Sequence, residues 1–216
     1  MKKKFPFLIF PAVFCVLILS VFAIEQFFDI KLYKLGVYPR TFFGLSGVFT
    51  APLVHGDWEH LLSNLSALPV LTGLLTVIYR RNYVKIFTVL YLATDLAVWF
   101  LGRESYHIGA SGIIYALASF LFFGGIISGR KGSAAVSLLT VMLYGSMVWG
   151  IFPTQEHISW ESHALGSLVG FFSAFALVKE KPKKIPTDKD YDYFNGGFEN
   201  FSQTANYDKI SYGFKP

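Results

Sequence analysis

Long charge-free apolar runs alternate with short polar stretches along the chain, and their lengths predict helices rather than strands. Residues 5–24 form the first run, residues 61–79 the second, and residues 86–102 the third, interrupted only by Asp95. Residues 108–129 form the fourth, and a fifth lies within 132–155. Such runs match the roughly 17–25 residues that a membrane-crossing helix needs. The last is different. Residues 164–178 number only 15, and extending the run back to Ile158 gives 21 but takes in Glu161 and His163. Ionisable groups inside a membrane helix are costly and point to function by default. The pattern predicts an all-α, polytopic membrane domain of six transmembrane helices over residues 1–179. Residues 180–216 are rich in Lys, Asp, Asn, Gly and Tyr without an apolar period, and are expected to be a polar, disordered tail.

Composition narrows the class. Of 216 residues, 53% are hydrophobic and 15% charged, with a mean hydropathy of +0.47. A soluble domain carries about 25% charged residues, so that class is excluded. The single cysteine, Cys15, excludes a disulfide scaffold and a thiolate metal cluster. The net charge of +5 has a simple distribution. With the N-terminus inside, Lys2, Lys3, Lys4, Arg80, Arg81, Lys85, Arg130, Lys131, Lys179, Lys181, Lys183 and Lys184 all fall on the inner side, twelve in number. Only four, Lys31, Lys34, Arg40 and Arg103, fall outside. Six spans and the positive-inside rule then put both termini in the cytoplasm. Basic residues placed along the membrane's inner edge argue against nucleic acid as a partner. The N-terminus also has the form of a signal peptide, with Val21-Phe22-Ala23 as a cleavage site, but its apolar run is long for that role and is expected to remain as a span.

Three polar clusters stand out against this background. The first is His55-Gly-Asp-Trp-Glu-His60-Leu-Leu-Ser-Asn64, where the chain re-enters the membrane from outside. His60 and Asn64, four apart, share a helix face with an offset of about 40°, whereas His55 and His60 are offset by about 140°. His55, Glu59 and His60 nearly spell a zinc-protease motif but carry one residue too many between the first two, so no metal site is expected. The second cluster is Gly109-Ala110-Ser111-Gly112 at the outer start of the fourth helix. Small neighbours admit a second backbone, and a helix N-terminus offers free N–H groups, which suits a nucleophile whose product is an oxyanion. The third is Glu161-Ser162-His163, followed by Gly166 and Gly170 on the His163 stripe of the sixth helix. Ser111, Tyr115 and Ala118 form a matching stripe on the fourth. Pairing the stripes sets His163 against Ser111, with Tyr115 one turn below to pack on the imidazole. The orientation, drawn only from charges and apolar runs, brings His60, Asn64, Ser111 and His163 to the outer half of the membrane. Their agreement in depth outweighs any single motif.

Taken together, these clusters resemble the rhomboid family of intramembrane serine proteases, over roughly residues 7–178. The motifs are His55-x4-His60-x3-Asn64, Gly109-x-Ser111-Gly112 and His163-x2-Gly166-x3-Gly170. The resemblance implies a rhomboid-like fold, with Ser111 as nucleophile and His163 as general base and then acid. It implies an oxyanion hole from His60, Asn64 and the Ser111 N–H, supported by His55, with Tyr115 stacked on His163. Gly109 and Gly112 would flank the nucleophile, and Gly166 and Gly170 would let the sixth helix approach the fourth. It implies no cofactor. The partners would be the lipid bilayer and transmembrane protein substrates, cleaved near the outer face and gated by the fifth helix. A bacterial inner membrane would be the location. One departure is visible: where many family members carry Trp-Arg in the first outer loop, this chain reads Leu45-Ser46-Gly47-Val48.

Two other readings compete. A rhomboid-like protein could bind membrane clients without cleaving them, but would have no need of both Ser111 and His163. A six-span transporter could use Asp95, Glu161 and His163 as a proton relay, but no inverted repeat or pair of broken helices is visible. Sequence leaves the substrate and the oligomeric state open.

Overall fold

The computed structural model describes residues 6–153 and 159–178. Six main helices run through them: α1 (Pro6–Phe28), α2 (Trp58–Ile78), α3 (Tyr83–Leu101), α4 (Ser111–Ile127), α5 (Lys131–Tyr144, continued by a 3-10 turn over Gly145–Ile151) and α6 (Trp160–Leu177). Among the described residues there is no strand, only an isolated antiparallel bridge between Val37 and His107. The fold is all-helical and of polytopic membrane type. The expected tail, residues 180–216, lies outside the described residues.

Several helix ends differ by a few residues from the runs read in the sequence, and two of them have a clear local reason. Glu25 extends α1 past Ile24, because its side chain accepts the Leu32 N–H at 2.7 Å and its carbonyl accepts the Ile30 N–H. At α2, the Asp57 carboxylate accepts the His60 N–H at 2.8 Å and caps the helix. The cap draws the polar residues Trp58, Glu59 and His60 into the helix, so His60 and Asn64 are true one-turn neighbours.

Among the described residues, four segments are long and apolar enough to cross a membrane: Ile9–Phe28, Trp58–Ile78, Tyr83–Leu101 and Lys131–Ile151. The other two helices are the ones that carry the third and second polar clusters. At 17 residues, α4 is only about 25 Å long, short of the roughly 30 Å hydrocarbon thickness. It is nonetheless the centre of the bundle. Gly112, Ile113, Ala116, Leu117, Phe120 and Leu121 are buried along one broad face, and it packs against α6, α5, α2 and α3. A helix enclosed by protein need not match the bilayer thickness, because its ends can open on protein-lined space.

Asp95, on α3, is buried, yet its Oδ2 has no hydrogen-bond partner among the described residues. Tyr91, one turn earlier on the same helix, instead donates its hydroxyl to the Phe49 carbonyl at 2.6 Å.

The first outer loop, residues 29–57, is pinned without a Trp-Arg pair at 45–48. Arg40 sits at a positive φ of 58° and donates Nη1 to the Gly102 carbonyl at 2.7 Å, closing the carbonyl end of α3. Trp99 donates its indole N–H to the Thr41 carbonyl at 2.8 Å. The glycines at 44 and 47 allow backbone to lie directly on Tyr38 and Gly36, where a Cβ would collide.

Candidate active site

The close contact between α4 and α6 has its origin in two glycines. A Cβ at Gly166 would collide with the Gly112 carbonyl, and one at Gly170 with the Ala116 carbonyl. With no side chain there, the backbones meet, and Ser119 Oγ donates to the Ser167 carbonyl at 2.7 Å to hold the register. That register sets the first turns of the two helices side by side. Ser111 is the first residue of α4 and His163 lies in the first turn of α6.

His163 Nε2 is 2.9 Å from Ser111 Oγ. Its other nitrogen, Nδ1, is 2.9 Å from the Gly150 carbonyl, which can only accept. Nδ1 therefore carries the proton, and Nε2 accepts from the serine hydroxyl. The Tyr115 ring stacks on the imidazole, with centroids 4.2 Å apart and planes 7° from parallel. The Tyr115 hydroxyl donates to the Met147 carbonyl at 2.8 Å. His163 is 8% exposed, so this geometry is held by packing as well as by hydrogen bonds.

The turn that delivers Ser111 needs glycine at 109, where φ is +98°, a region that side chains rarely adopt. A Cβ there would also strike the His60 ring and stand 3.5 Å from Asn64 Nδ2. His60 and Asn64 thus lie against the segment just ahead of the serine. The leading N–H groups of α4 have no intrahelical acceptor. Gly112 is tight for another reason: a Cβ would be 3.1 Å from Thr94 Cγ2 and 3.3 Å from the Ser162 carbonyl.

His55 joins this group from the loop before α2. Its ring centroid is 4.9 Å from that of His60, a proximity that the helical offset of 140° forbids on one helix and that the loop restores. Asn64 Nδ2, a donor, is 2.9 Å from His55 Nε2, so that nitrogen accepts and His55 is neutral. Burial, reinforced by the charge of His60, pushes its pKa down to about 4. An Nε2 engaged by the Asn64 amide is not free to bind a metal.

One residue of this neighbourhood has no signal in the sequence. His107, buried in the loop before α4, donates Nε2–H to the Arg103 carbonyl at 3.0 Å. Its Nδ1 accepts from Ser159 Oγ, which lies 2.6 Å from Ser162 Oγ. Arg103 also pairs with the buried Glu161 at 3.3 Å. The loop ahead of Ser111 is thereby tied to the residues just before His163. Burial holds the His107 imidazole below its ordinary pKa. Partners fifty residues away leave no local pattern to read.

Residues 43–180 match the Rhomboid domain. The chain belongs to the rhomboid family. Its relatives include uncharacterized proteins of Mycobacterium bovis and Mycobacterium tuberculosis, each 30% identical over 173 residues that cover 76% of this chain and 72% of theirs. An uncharacterized protein of Mycobacterium leprae is 27% identical over 142 residues, covering 62% of this rhomboid and 56% of the relative. Family and fold together make it a multi-pass integral membrane protein.

Proposed function

We propose that this rhomboid is an intramembrane serine endopeptidase of a bacterial inner membrane, cleaving transmembrane segments of other proteins near the outer face. The observation that carries the reading is the 2.9 Å contact from Ser111 Oγ to a His163 nitrogen whose lone pair faces it. Serine is a weak nucleophile and needs such a base. In the reaction, His163 takes the Ser111 proton as Oγ attacks the scissile carbonyl. The charge that develops on the carbonyl oxygen meets donors from the Ser111 N–H, His60 and Asn64, each typically worth about 2.7–4 kcal/mol in the transition state. The His163 imidazolium then gives its proton to the departing amine. Water, activated by the same histidine, hydrolyses the acyl-enzyme.

The substrate class follows from the site's depth. A helix hides its peptide bonds in its own hydrogen bonds, so a scissile bond must first leave helical geometry. Small or helix-breaking residues near the outer end of a substrate helix meet that need. The half-exposed Ser111, at the start of a short buried helix, supports water reaching the bond.

A fluorophosphonate probe tests the nucleophile directly. Covalent labelling of Ser111, found by mass spectrometry and abolished in His163→Ala, is the expected result. Labelling elsewhere, or none in a folded protein, would favour a client-binding rhomboid without protease activity.

A further inference from the structure

We propose that the Tyr115 hydroxyl is a positioning group that fastens the turn Gly145–Ile151 over His163, so that the Gly150 carbonyl holds the imidazole in the one tautomer able to act as a base. This rests on the roles proposed above for Ser111 and His163, and extends them. Here the group behind the base is a backbone carbonyl supplied by the turn that continues α5.

A neutral imidazole has one N–H and one lone pair. Free histidine side chains favour the proton on Nε2, the nitrogen that here faces the serine. Nε2 presents its lone pair to Ser111 only while Nδ1–H has an acceptor, and that acceptor is the Gly150 carbonyl at 2.9 Å. Packing holds the turn that carries it only in part, because none of its residues is fully buried and only Met147 packs, half-buried, against the core. The turn is also held by the Tyr115 hydroxyl, which donates to the Met147 carbonyl at 2.8 Å. Met147 and Gly150 are three apart on a 3-10 turn, where such residues lie above one another. Fixing one therefore fixes the other.

Glycine at 150 is part of the same device. A Cβ there would collide with the Tyr115 hydroxyl and stand 3.3 Å from His163 Nδ1. Any side chain would lift the carbonyl from the imidazole. The tyrosine thus has two separable contacts: its ring stacks on His163 and its hydroxyl holds the turn. Tyr115→Phe removes only the second. When the turn moves away, the base loses its acceptor and is off until the turn returns.

The test uses full-length protein in lipid nanodiscs with histidine labelled by 15N. The ring signals of His163 are assigned by their loss in His163→Asn, and thermal midpoints check that the variants fold. At neutral pH the wild type is expected to show a protonated Nδ1 and an unprotonated Nε2. Tyr115→Phe should shift His163 toward the opposite tautomer and slow Ser111 labelling by fluorophosphonate roughly three- to tenfold, the scale of one hydrogen bond. The loss should fall on the maximal rate, not on the half-saturating probe concentration. Gly150→Ala should shift both readouts further. A wild-type proton on Nε2 overturns the proposal, as does a Tyr115→Phe protein with wild-type signals and rate. If the tautomer shifts as described but Ser111 labels in no variant, the positioning device stands and the protease reading fails.

Discussion

The residues around Ser111 divide into those that would face the proposed reaction and those that hold others in place, and the contacts of His55 put it in the second group. Its Nε2 accepts from Asn64, so it must stay neutral for the Asn64 amide to keep its orientation. The folded chain holds its pKa near 4, against an ordinary 6.5. As pH falls, the unfolded chain takes the proton first. His55's contribution to stability is therefore complete above pH 6.5 and is lost progressively toward pH 4, on the order of 3 kcal/mol at the end of that window. The thermal midpoint of the purified protein should fall across this range, and His55→Gln, which keeps an acceptor but does not titrate, should flatten the fall. An unchanged slope in the variant would exclude His55 as its source. Asn64→Ala removes a proposed oxyanion donor and should lower kcat by roughly 10²–10³ with little change in KM. A loss confined to KM would contradict that role.

At the scale of elements, the α4–α6 contact sets the Ser111–His163 distance. Gly166 lies on the Gly112 carbonyl and Gly170 on the Ala116 carbonyl, so neither tolerates a side chain. Gly170→Val should cost at least 1–3 kcal/mol through overpacking, read as a lower thermal midpoint, and should lengthen the approach of His163 to Ser111. This contact is legible in the sequence, because glycines three and seven residues after a histidine share its helix face and admit a close neighbour there. The strap beneath it is not. His107 and Ser159 act through tertiary partners, and nothing in their local sequence distinguishes them from loop residues, whereas Glu161 stands out only as an ionisable group in the last apolar run. His107→Ala should reduce Ser111 reactivity several-fold by loosening the loop before α4, without changing the residue labelled. Wild-type reactivity would show that the strap is dispensable.

The whole molecule is legible chiefly through its apolar runs. Six segments, their order and the three polar clusters follow from hydropathy and spacing, while helix ends shift by a few residues, at α2 because the Asp57 cap draws residues 58–60 into the helix. The first outer loop is harder to read. The absence of Trp-Arg points to a different loop, but not to Arg40 and Trp99, which are far apart in sequence and pin it to the end of α3. The Gly150 carbonyl is invisible as well, since a backbone acceptor carries no side-chain signature. The two helices of the proposed dyad are the short α4 and the polar-headed α6, which fall outside the four simplest spans. A membrane protein that performs hydrolysis has reason to depart from simple spans at that place.

What matters most is whether Ser111 and His163 cleave peptide bonds within a membrane. The most direct test is cleavage of a fluorogenic transmembrane substrate in liposomes by wild type, Ser111→Ala and His163→Ala, each with and without a chelator. Wild type is expected to cleave whether or not chelator is present, and either variant to be at least roughly 10⁴-fold slower. Cleavage that survives Ser111→Ala would contradict a serine–histidine mechanism.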